Sequence, residues 1–195
     1  MKVSGNTAFC SWSGGKESAL SLFRAIRSGV RVARLVNMLA EDGWHCRTHG
    51  ITAGLIRLQA QAIGIPLIQR PSSWQAYEEE FKAVLRTMTD EGIRQGIFGD
   101  IDLEEHREWV ERVSSECSIA PSLPLWCEDR HDLLSEFIGS GFKAVIVAVD
   151  KRRLDESWLG REVDGAFMSD IGSQDIDICG EAGEYHTFVY DGPVF

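Results

Sequence analysis

The sequence lacks the cysteine pairs that would indicate a disulfide framework or a zinc site. It has five cysteines, an odd number, and no two of them are separated by only two residues. Small secreted domains and zinc-binding modules depend on paired or regularly spaced cysteines. The cysteine pattern therefore favours a reducing compartment and a core that is stable without covalent cross-links.

Long apolar runs and an excess of basic residues are also missing. No stretch approaches the roughly 20 apolar residues of a membrane-spanning helix, and residues 1–6 lack the apolar core of a signal peptide. The 30 acidic residues outnumber the 20 basic ones, which gives a formal net charge of −10, whereas proteins that bind nucleic acids usually present a basic face. We therefore expect a cytoplasmic protein that has neither a membrane nor a nucleic acid as its partner.

What the sequence does contain is the pattern of an α/β protein. Its 195 residues, of which 44% are hydrophobic, suit one globular domain or one domain with a small appendage. Short apolar runs alternate four times with segments of helical periodicity across residues 1–119, which predicts a parallel sheet covered by helices. Pro121 and Pro124 interrupt the alternation, so we place a second, smaller domain at residues 120–195.

The most informative segment is residues 8–18, in which a short apolar run is followed by a glycine turn and a helical pattern. Adjacent glycines adopt backbone angles that other residues avoid, and they let a ligand approach the main chain closely. The first helical turn offers unpaired N–H groups and the positive end of the helix dipole. This strand–turn–helix unit predicts a phosphate site, and the residues expected to contact the nucleotide there are Ser13, Gly14, Gly15, Lys16, Glu17 and Ser18.

Further residues are expected beside this glycine loop, because parallel strands end at the same edge of a sheet. Asn37 follows the second predicted strand, and Gly99 and Asp100 follow the fourth, so we expect these residues to contact the nucleotide. Asp102 is predicted to cap the next helix. His106 falls on an apolar face of that helix, and we interpret it as a packing residue.

The spacing of the glycine loop excludes the Walker phosphate loop. Cys10 stands where a Walker loop has its first glycine, and Glu17 follows Lys16 where a Walker loop has Ser or Thr. The segment resembles instead the Ser-Gly-Gly-x-Asp-Ser loop, or PP-loop, of the N-type ATP pyrophosphatases, which cleave ATP between its α and β phosphates. Glu17 replaces the usual aspartate of that loop, which keeps the carboxylate and extends its reach by one methylene.

Several motifs in the same order and with similar spacing resemble the diphthine–ammonia ligase family and its bacterial relatives. They span nearly the whole chain and comprise Ser11-Trp12-Ser13-Gly14-Gly15-Lys16, Thr48-His49-Gly50-Ile51, Gly99-Asp100-Ile101, Pro124-Leu125-Trp126, Gly180-Glu181-Ala182-Gly183-Glu184-Tyr185-His186-Thr187-Phe188 and Asp191-Gly192-Pro193. The resemblance implies an adenine-nucleotide α-hydrolase domain of the HUP or Rossmann-like type, followed by a smaller α+β domain that binds the substrate.

The resemblance also implies a chemistry. Members of the family adenylate the carboxylate of diphthine, a modified histidine on elongation factor 2, and ammonia then displaces AMP. We therefore expect ATP and Mg²⁺ as cofactors, with ammonium and a carboxylate acceptor as further partners. Since bacteria have close relatives but no diphthamide, the acceptor is either diphthine on elongation factor 2 or an analogous carboxylate, and a homo-oligomer is left open.

Roles for individual residues follow from this chemistry. Asp100 is expected to contact the metal or the nucleotide. A pair of carboxylates can hold ammonium and later accept its proton, and two glutamates flank the glycine-rich turn near the C-terminus. The residues expected to be catalytic are Lys16, Asp100, Glu181 and Glu184, and those expected to bind substrate are His49, Glu181, Glu184, His186 and Thr187.

Two alternatives remain at this point. The first is another PP-loop enzyme that adenylates a small-molecule carboxylate or a tRNA base. The second is an ATP- or AMP-binding protein without turnover, which the replacement of aspartate by Glu17 keeps open. Release of pyrophosphate separates an enzyme from a binding protein, and dependence on ammonium identifies an amide-forming ligase.

Overall fold

The computed structural model describes residues 6–195. The prediction that residues 1–6 lack a signal-peptide core therefore concerns residues that, except for Asn6, lie outside the described part of the chain. Within residues 6–195, no helix combines the length and the apolar character that crossing a membrane requires.

The N-terminal part is a five-stranded parallel sheet, which confirms the predicted α/β class. Its strands are β1 (Thr7–Ser11), β2 (Arg31–Leu39), β3 (Leu67–Pro71), β4 (Gln95–Ile97) and β5 (Ala120–Ser122). They are arranged in the order β3-β2-β1-β4-β5. The strand before the glycine loop is thus the central strand, with Cys10 opposite Leu35 of β2 on one side and Ile97 of β4 on the other.

Six helices and a two-stranded antiparallel sheet complete the described residues. The helices are α1 (Lys16–Arg27), α2 (Ala53–Ile63), α3 (Tyr77–Asp90), α4 (Glu104–Glu116), α5 (Arg130–Gly139) and α6 (Gly165–Ile171), and a short 3-10 helix spans Glu156–Trp158. The antiparallel strands are β6 (Lys143–Val149) and β7 (Tyr185–Asp191). This small α+β unit agrees with the fold class implied for the C-terminal part.

Two apolar clusters hold these layers together. Because successive side chains of a strand point to opposite faces of the sheet, Phe9 joins one cluster while Ala8 and Cys10 join the other. The Phe9 cluster includes Phe81 of α3 and Val113 of α4. The Cys10 cluster contains residues of α1, α2 and the C-terminal unit, so the C-terminal unit packs onto the α1 face of the parallel sheet.

The junction between the two predicted domains lies at a strand of the parallel sheet. Ala120, Pro121 and Ser122, which the sequence analysis assigned to the second domain, pair with β4 as the edge strand β5. Proline is compatible with an edge strand, where its missing N–H deprives no partner of a bond. The sheet therefore extends through Ser122, while the division at residue 119 stays a prediction.

The predicted N-cap at Asp102 is wrong. Helix α4 begins at Glu104, its N-cap is Leu103, and no side chain caps it. The Asp102 carboxylate instead accepts two hydrogen bonds from the Arg130 guanidinium, of which the one from Nη2 to Oδ1 measures 2.8 Å. A two-point bond between ionised groups is stronger than a bond to a neutral backbone N–H, so the long-range partner displaces the local one.

Candidate active site

A cleft with a volume of about 280 Å³ lies at the carboxyl ends of β1, β2 and β4. This is the location expected for the ligand of an open parallel sheet. The C-terminal unit closes one side of it with residues from the segment before β7 and from β7 itself. The lining consists of Ser11, Trp12, Ser13, Lys16, Glu17, Ser18, Val36, Asn37, Met38, Cys46, Arg47, Thr48, His49, Tyr77, Gly99, Asp100, His106, Cys179, Gly180, Glu181, Tyr185, His186 and Thr187.

The glycine loop is clamped between α2 and β7. The Gly14 carbonyl accepts hydrogen bonds from Nε2 of Gln59 (3.0 Å) and from the backbone N–H of Val189 (2.9 Å). Gly14 has φ +84°, and a Cβ there would lie 2.6 Å from Ile56 and 2.7 Å from Gln59. Gly14 and Gly15 thus shape the loop rather than line the cleft, which fits the demand for a residue without a side chain.

Hydroxyl groups surround the first turn of α1. The Ser13 hydroxyl accepts from the Gly15 N–H (3.2 Å) and lies 3.2 Å from the Ser18 hydroxyl, while the Lys16 N–H donates to Oγ1 of Thr187 (3.1 Å). The N–H groups of this turn have no partner inside the helix. With the positive end of the helix dipole, this turn suits an anion, and phosphate binding there stays a prediction.

Lys16 is held in place by three contacts. Its side chain is buried, and its Nζ lies 2.5 Å from the Glu17 carboxylate, 2.5 Å from the Cys179 carbonyl and 4.7 Å from the centre of the Tyr185 ring. Burial disfavours the charged ammonium, but Glu17 and Tyr185 outweigh burial and raise the pKa of Lys16 above its usual value. Lys16 therefore carries its positive charge into the cleft at every physiological pH.

Glu181 is the acid whose environment is most altered in the cleft. Burial, followed by the negative charges of Glu17, Asp100 and Asp177, raises the pKa of Glu181 from 4.5 to about 8, although Lys16 acts in the opposite direction. Near neutral pH the side chain therefore exists in both its protonated and its ionised form. Such a group is suited to transfer a proton, since the best acid–base catalysts have a pKa near the working pH.

A chain of ion pairs holds the segment that carries Glu181. The Glu181 N–H donates to Oδ2 of Asp177 (3.2 Å), which accepts from Nε of Arg130 (2.8 Å). Arg130 in turn binds Asp102 after β4. The segment is thereby tied to the carboxyl end of the parallel sheet, so that Glu181 faces the same cleft as the glycine loop.

Asp100 and His106 lie together at the end of β4. Gly99 packs so closely on α1 that a Cβ would be 3.1 Å from the Ser18 nitrogen, which directs Asp100 into the cleft. Nδ1 of His106 lies 3.2 Å from Oδ1 of Asp100, and this bond raises the pKa of His106. The interpretation of His106 as packing is wrong, since its side chain is 60% exposed and lines the cleft.

Two histidines that are distant in the sequence lie against each other in the cleft, with their rings tilted by 31°. The ring centres of His49 and His186 are 4.7 Å apart, and Nδ1 of His49 donates to the Thr187 carbonyl (3.1 Å). Burial, assisted by His186, lowers the pKa of His49 to about 4, and burial also lowers the pKa of His186. Both rings are therefore neutral at pH 7, and three residues predicted to bind substrate are brought together.

Asn37 and Glu184 occupy different positions relative to the cleft. Asn37 lines it, but its amide is bound to the Trp12 carbonyl and to Gln69. Glu184 is only 1% exposed, forms an ion pair with Arg153 and is absent from the lining. The structure thus brings Glu181, but not Glu184, beside the glycine loop, and a catalytic role of Glu184 stays a prediction.

Besides His106, sequence reasoning missed Ser11, Trp12, Cys46, Thr48 and four further polar or aromatic residues of the cleft. Tyr185 lies beneath the ammonium of Lys16, and the other three are Arg47, Tyr77 and Cys179. Tyr185 stands inside the glycine-rich C-terminal motif, so the motif was a usable signal for it. No local pattern marks the remaining three, because their place in the cleft depends on the packing of distant segments.

The acidic residues fit one mode of magnesium binding. Within residues 6–195, no group of three or more His, Cys, Asp or Glu side chains is arranged to hold a metal ion. Mg²⁺ at nucleotide sites is usually bound by one or two carboxylates together with substrate phosphates and water. Asp100 and Glu17 line the cleft together with residues of the first turn of α1, so they suit that mode, and Asp100 as a metal ligand stays a prediction.

Comparison with known proteins places the chain beside one group. Residues 6–121 match the family model described as the diphthamide synthase N-terminal domain, and residues 129–195 match the diphthamide synthase C-terminal domain. The human diphthine–ammonia ligase is 30% identical over 210 residues, which cover 94% of this chain and 78% of the human protein. The Rattus norvegicus enzyme of the same name is 28% identical over the same shares. The Schizosaccharomyces pombe diphthine–ammonia ligase is 25% identical over a region that covers 94% of this chain and 34% of the S. pombe protein.

Proposed function

The chain belongs to the diphthamide synthase family, and from this premise we propose that it adenylates a carboxylate and lets ammonia displace AMP. It is an ATP-dependent ligase, like the diphthine–ammonia ligases to which it is similar. The observation that carries the proposal is that Glu181, an acid with a pKa of about 8, faces the phosphate-binding turn of α1 across one cleft.

The first step is activation of the acceptor. A carboxylate oxygen attacks the α-phosphorus of ATP, the bond to the β-phosphate oxygen breaks, and pyrophosphate leaves. The positive end of the α1 dipole and the ammonium of Lys16 stabilise the charge on the departing group. Bound Mg²⁺, with Asp100 and Glu17 as its candidate ligands, would neutralise further phosphate charge.

The second step forms the amide. Ammonia attacks the acyl carbon of the mixed anhydride, the acyl carbon–oxygen bond breaks, and AMP leaves. Ammonium must lose protons to reach the amide, and the Glu181 carboxylate can accept one of them because its pKa lies close to neutral. The neutral rings of His49 and His186, which line the same cleft, can donate or accept hydrogen bonds without adding charge.

The names of the relatives, rather than the geometry of the cleft, support the choice of acceptor. The similar proteins are named for diphthine, which supports diphthine on elongation factor 2 or an analogous carboxylate as the acceptor of this chain. The chemistry of the cleft is the same for either, since both present a carboxylate to the α-phosphorus.

The experiment is to identify the spent nucleotide. The full chain is incubated with ATP, Mg²⁺ and ammonium, with diphthine-bearing elongation factor 2 or a panel of small carboxylates as acceptor. We expect AMP and pyrophosphate in equal amounts, amide only when ammonium is present, and a hydroxamate when hydroxylamine replaces ammonium. Stoichiometric ADP would refute the adenylation mechanism.

A pair of variants tests the role of Glu181. Glu181→Gln should keep the affinity for a non-hydrolysable ATP analogue and slow amide formation by about 10²-fold. Glu116→Gln is the matched control, because Glu116 lies at the end of α4, pairs with Lys82 and does not line the cleft. If Glu181→Gln lost nucleotide affinity as strongly as it lost amide formation, Glu181 would contact the nucleotide rather than the acceptor.

A further inference from the structure

Arg47 lines the cleft but does not belong to the glycine loop. It lies in the segment between β2 and α2, and its backbone N–H is fixed by the Met38 carbonyl. The Nε and Nη2 atoms of its guanidinium are buried, and they make no hydrogen bond within residues 6–195. Arg47 also has no carboxylate partner among the ion pairs of the described residues.

An arginine in this condition is unusual. Buried polar groups in native proteins nearly always have a hydrogen-bond partner, and a buried charged donor without one is strongly unfavourable. Arginine is chosen at binding sites because its planar fork binds two oxygens of a carboxylate or phosphate at once. Two unpartnered N–H groups on a side chain that lines the cleft therefore point to a ligand that supplies those oxygens.

Aromatic rings hold the guanidinium in place. Its central carbon lies 4.5 Å from the centre of the Trp74 ring and 5.8 Å from that of Tyr77. Burial raises the pKa of Tyr77 to about 12 although Arg47 opposes the shift, so the Tyr77 hydroxyl keeps its proton and is a second donor lining the cleft. Trp74 is 70% exposed, and its ring orients the guanidinium of Arg47 together with the ring of Tyr77.

Arg161 offers an internal comparison. It stands 4.6 Å from the Trp158 ring and 5.8 Å from the Phe167 ring, nearly the same aromatic surroundings. Arg161, however, forms an ion pair with Asp170 and does not line the cleft. The aromatic contacts alone therefore do not require an open guanidinium, and the missing partner of Arg47 is a property of the cleft.

We propose that Arg47 binds an oxyanion of a substrate, at a second anion subsite separate from the phosphate-binding turn of α1. The inference rests on the proposed function, which brings two oxyanions into this cleft: the carboxylate of the acceptor and the α-phosphate that becomes AMP. Both the carboxylate and the α-phosphate present paired oxygens that the planar guanidinium of Arg47 can bind together. Arg47 would thereby select and orient the substrate that carries them.

The test measures binding rather than turnover. Calorimetry is carried out on the full chain with three probes: pyrophosphate, AMP and succinate. The variants are Arg47→Gln, which removes the cation, Arg47→Lys, which keeps the charge and loses the fork, and Arg161→Gln as the matched control. Circular dichroism of each variant establishes that it is folded, and Arg47→Lys serves if Arg47→Gln does not fold.

We expect Arg47→Gln to bind one of AMP and succinate about 10- to 100-fold more weakly than the wild type, with pyrophosphate unchanged and Arg47→Lys intermediate. Weaker AMP binding would identify the α-phosphate as the group that Arg47 binds, and weaker succinate binding would identify the acceptor carboxylate as that group. The proposal would be overturned if wild type and Arg47→Gln bound AMP and succinate with equal affinity. It would also be overturned if Arg47→Gln lost as much affinity for pyrophosphate as for these probes, or if Arg161→Gln lost as much affinity as Arg47→Gln. A finding of ADP as product would refute the proposed function and leave these affinities unaffected.

Discussion

The raised pKa of Glu181 makes a prediction about stability that needs no substrate. In the folded protein the carboxyl keeps its proton up to about pH 8, whereas in the unfolded chain it loses the proton near its ordinary value of 4.5. Unfolding between these pH values therefore releases a proton. The free energy of unfolding of the wild type should fall as the pH rises through this window.

The size of the effect follows from the shift. At ~1.4 kcal/mol per pKa unit, the full shift would correspond to roughly 5 kcal/mol. Because the side chain is only partly buried, solvent reduces both the cost of desolvation, which is the largest cause of the shift, and the repulsion from Glu17, so we expect about 1–2 kcal/mol. Glutamine does not titrate, and Glu181→Gln should therefore gain stability relative to the wild type by about 1–2 kcal/mol between about pH 5 and about pH 8.

Urea denaturation of both proteins across this range measures the difference. Glu116→Gln is again the control, because the hydrogen bond from Lys82 lowers the pKa of Glu116. The contribution of Glu116 to the free energy of unfolding therefore changes only below pH 4.5. The difference in this free energy between Glu116→Gln and the wild type should stay constant between about pH 5 and about pH 8. A difference between wild type and Glu181→Gln that does not change with pH would refute the raised pKa of Glu181.

Three further predictions concern the glycine loop and its neighbours. His49 stays neutral down to about pH 4 in the folded protein but takes up a proton near pH 6.5 in the unfolded chain. The wild type should therefore lose stability as the pH falls from 6.5 to 4, and thermal denaturation should show a smaller loss for His49→Gln over that range. Lys16→Met removes the ammonium beside Glu17 and should slow pyrophosphate release by about 10²-fold; unchanged kinetics would exclude the phosphate role. Gly14→Ala should lower the free energy of unfolding by about 2 kcal/mol or more, because both its positive φ and its neighbours oppose a Cβ. Gly64→Ala, with φ +76° and open space around it, should lose about 1 kcal/mol; equal losses would contradict the clamp on the loop.

Residues that form local patterns were predictable. The helix that begins at Lys16 and the central strand before it follow from apolar periodicity, which depends on neighbours a few positions apart. The edge strand at residues 120–122 was not predictable, because three residues with a proline carry no periodicity of their own and pair only once β4 is in place. Asp102 shows the same limit, since its partner Arg130 lies 28 positions away.

The sequence by itself determined the α/β class, the strand and helix around the glycine loop, and the family, because each depends on patterns among residues that are close together in the chain. The tertiary structure alone decided which charges meet. Lys16 and Thr187 are 171 positions apart, yet they form a hydrogen bond, and β7 clamps Gly14 from the far end of the chain. The separation of Glu181 from Glu184, the neutral His49–His186 pair and the open guanidinium of Arg47 all depend on burial and on distant neighbours. Burial and long-range contact are produced by folding, and no window of sequence contains them.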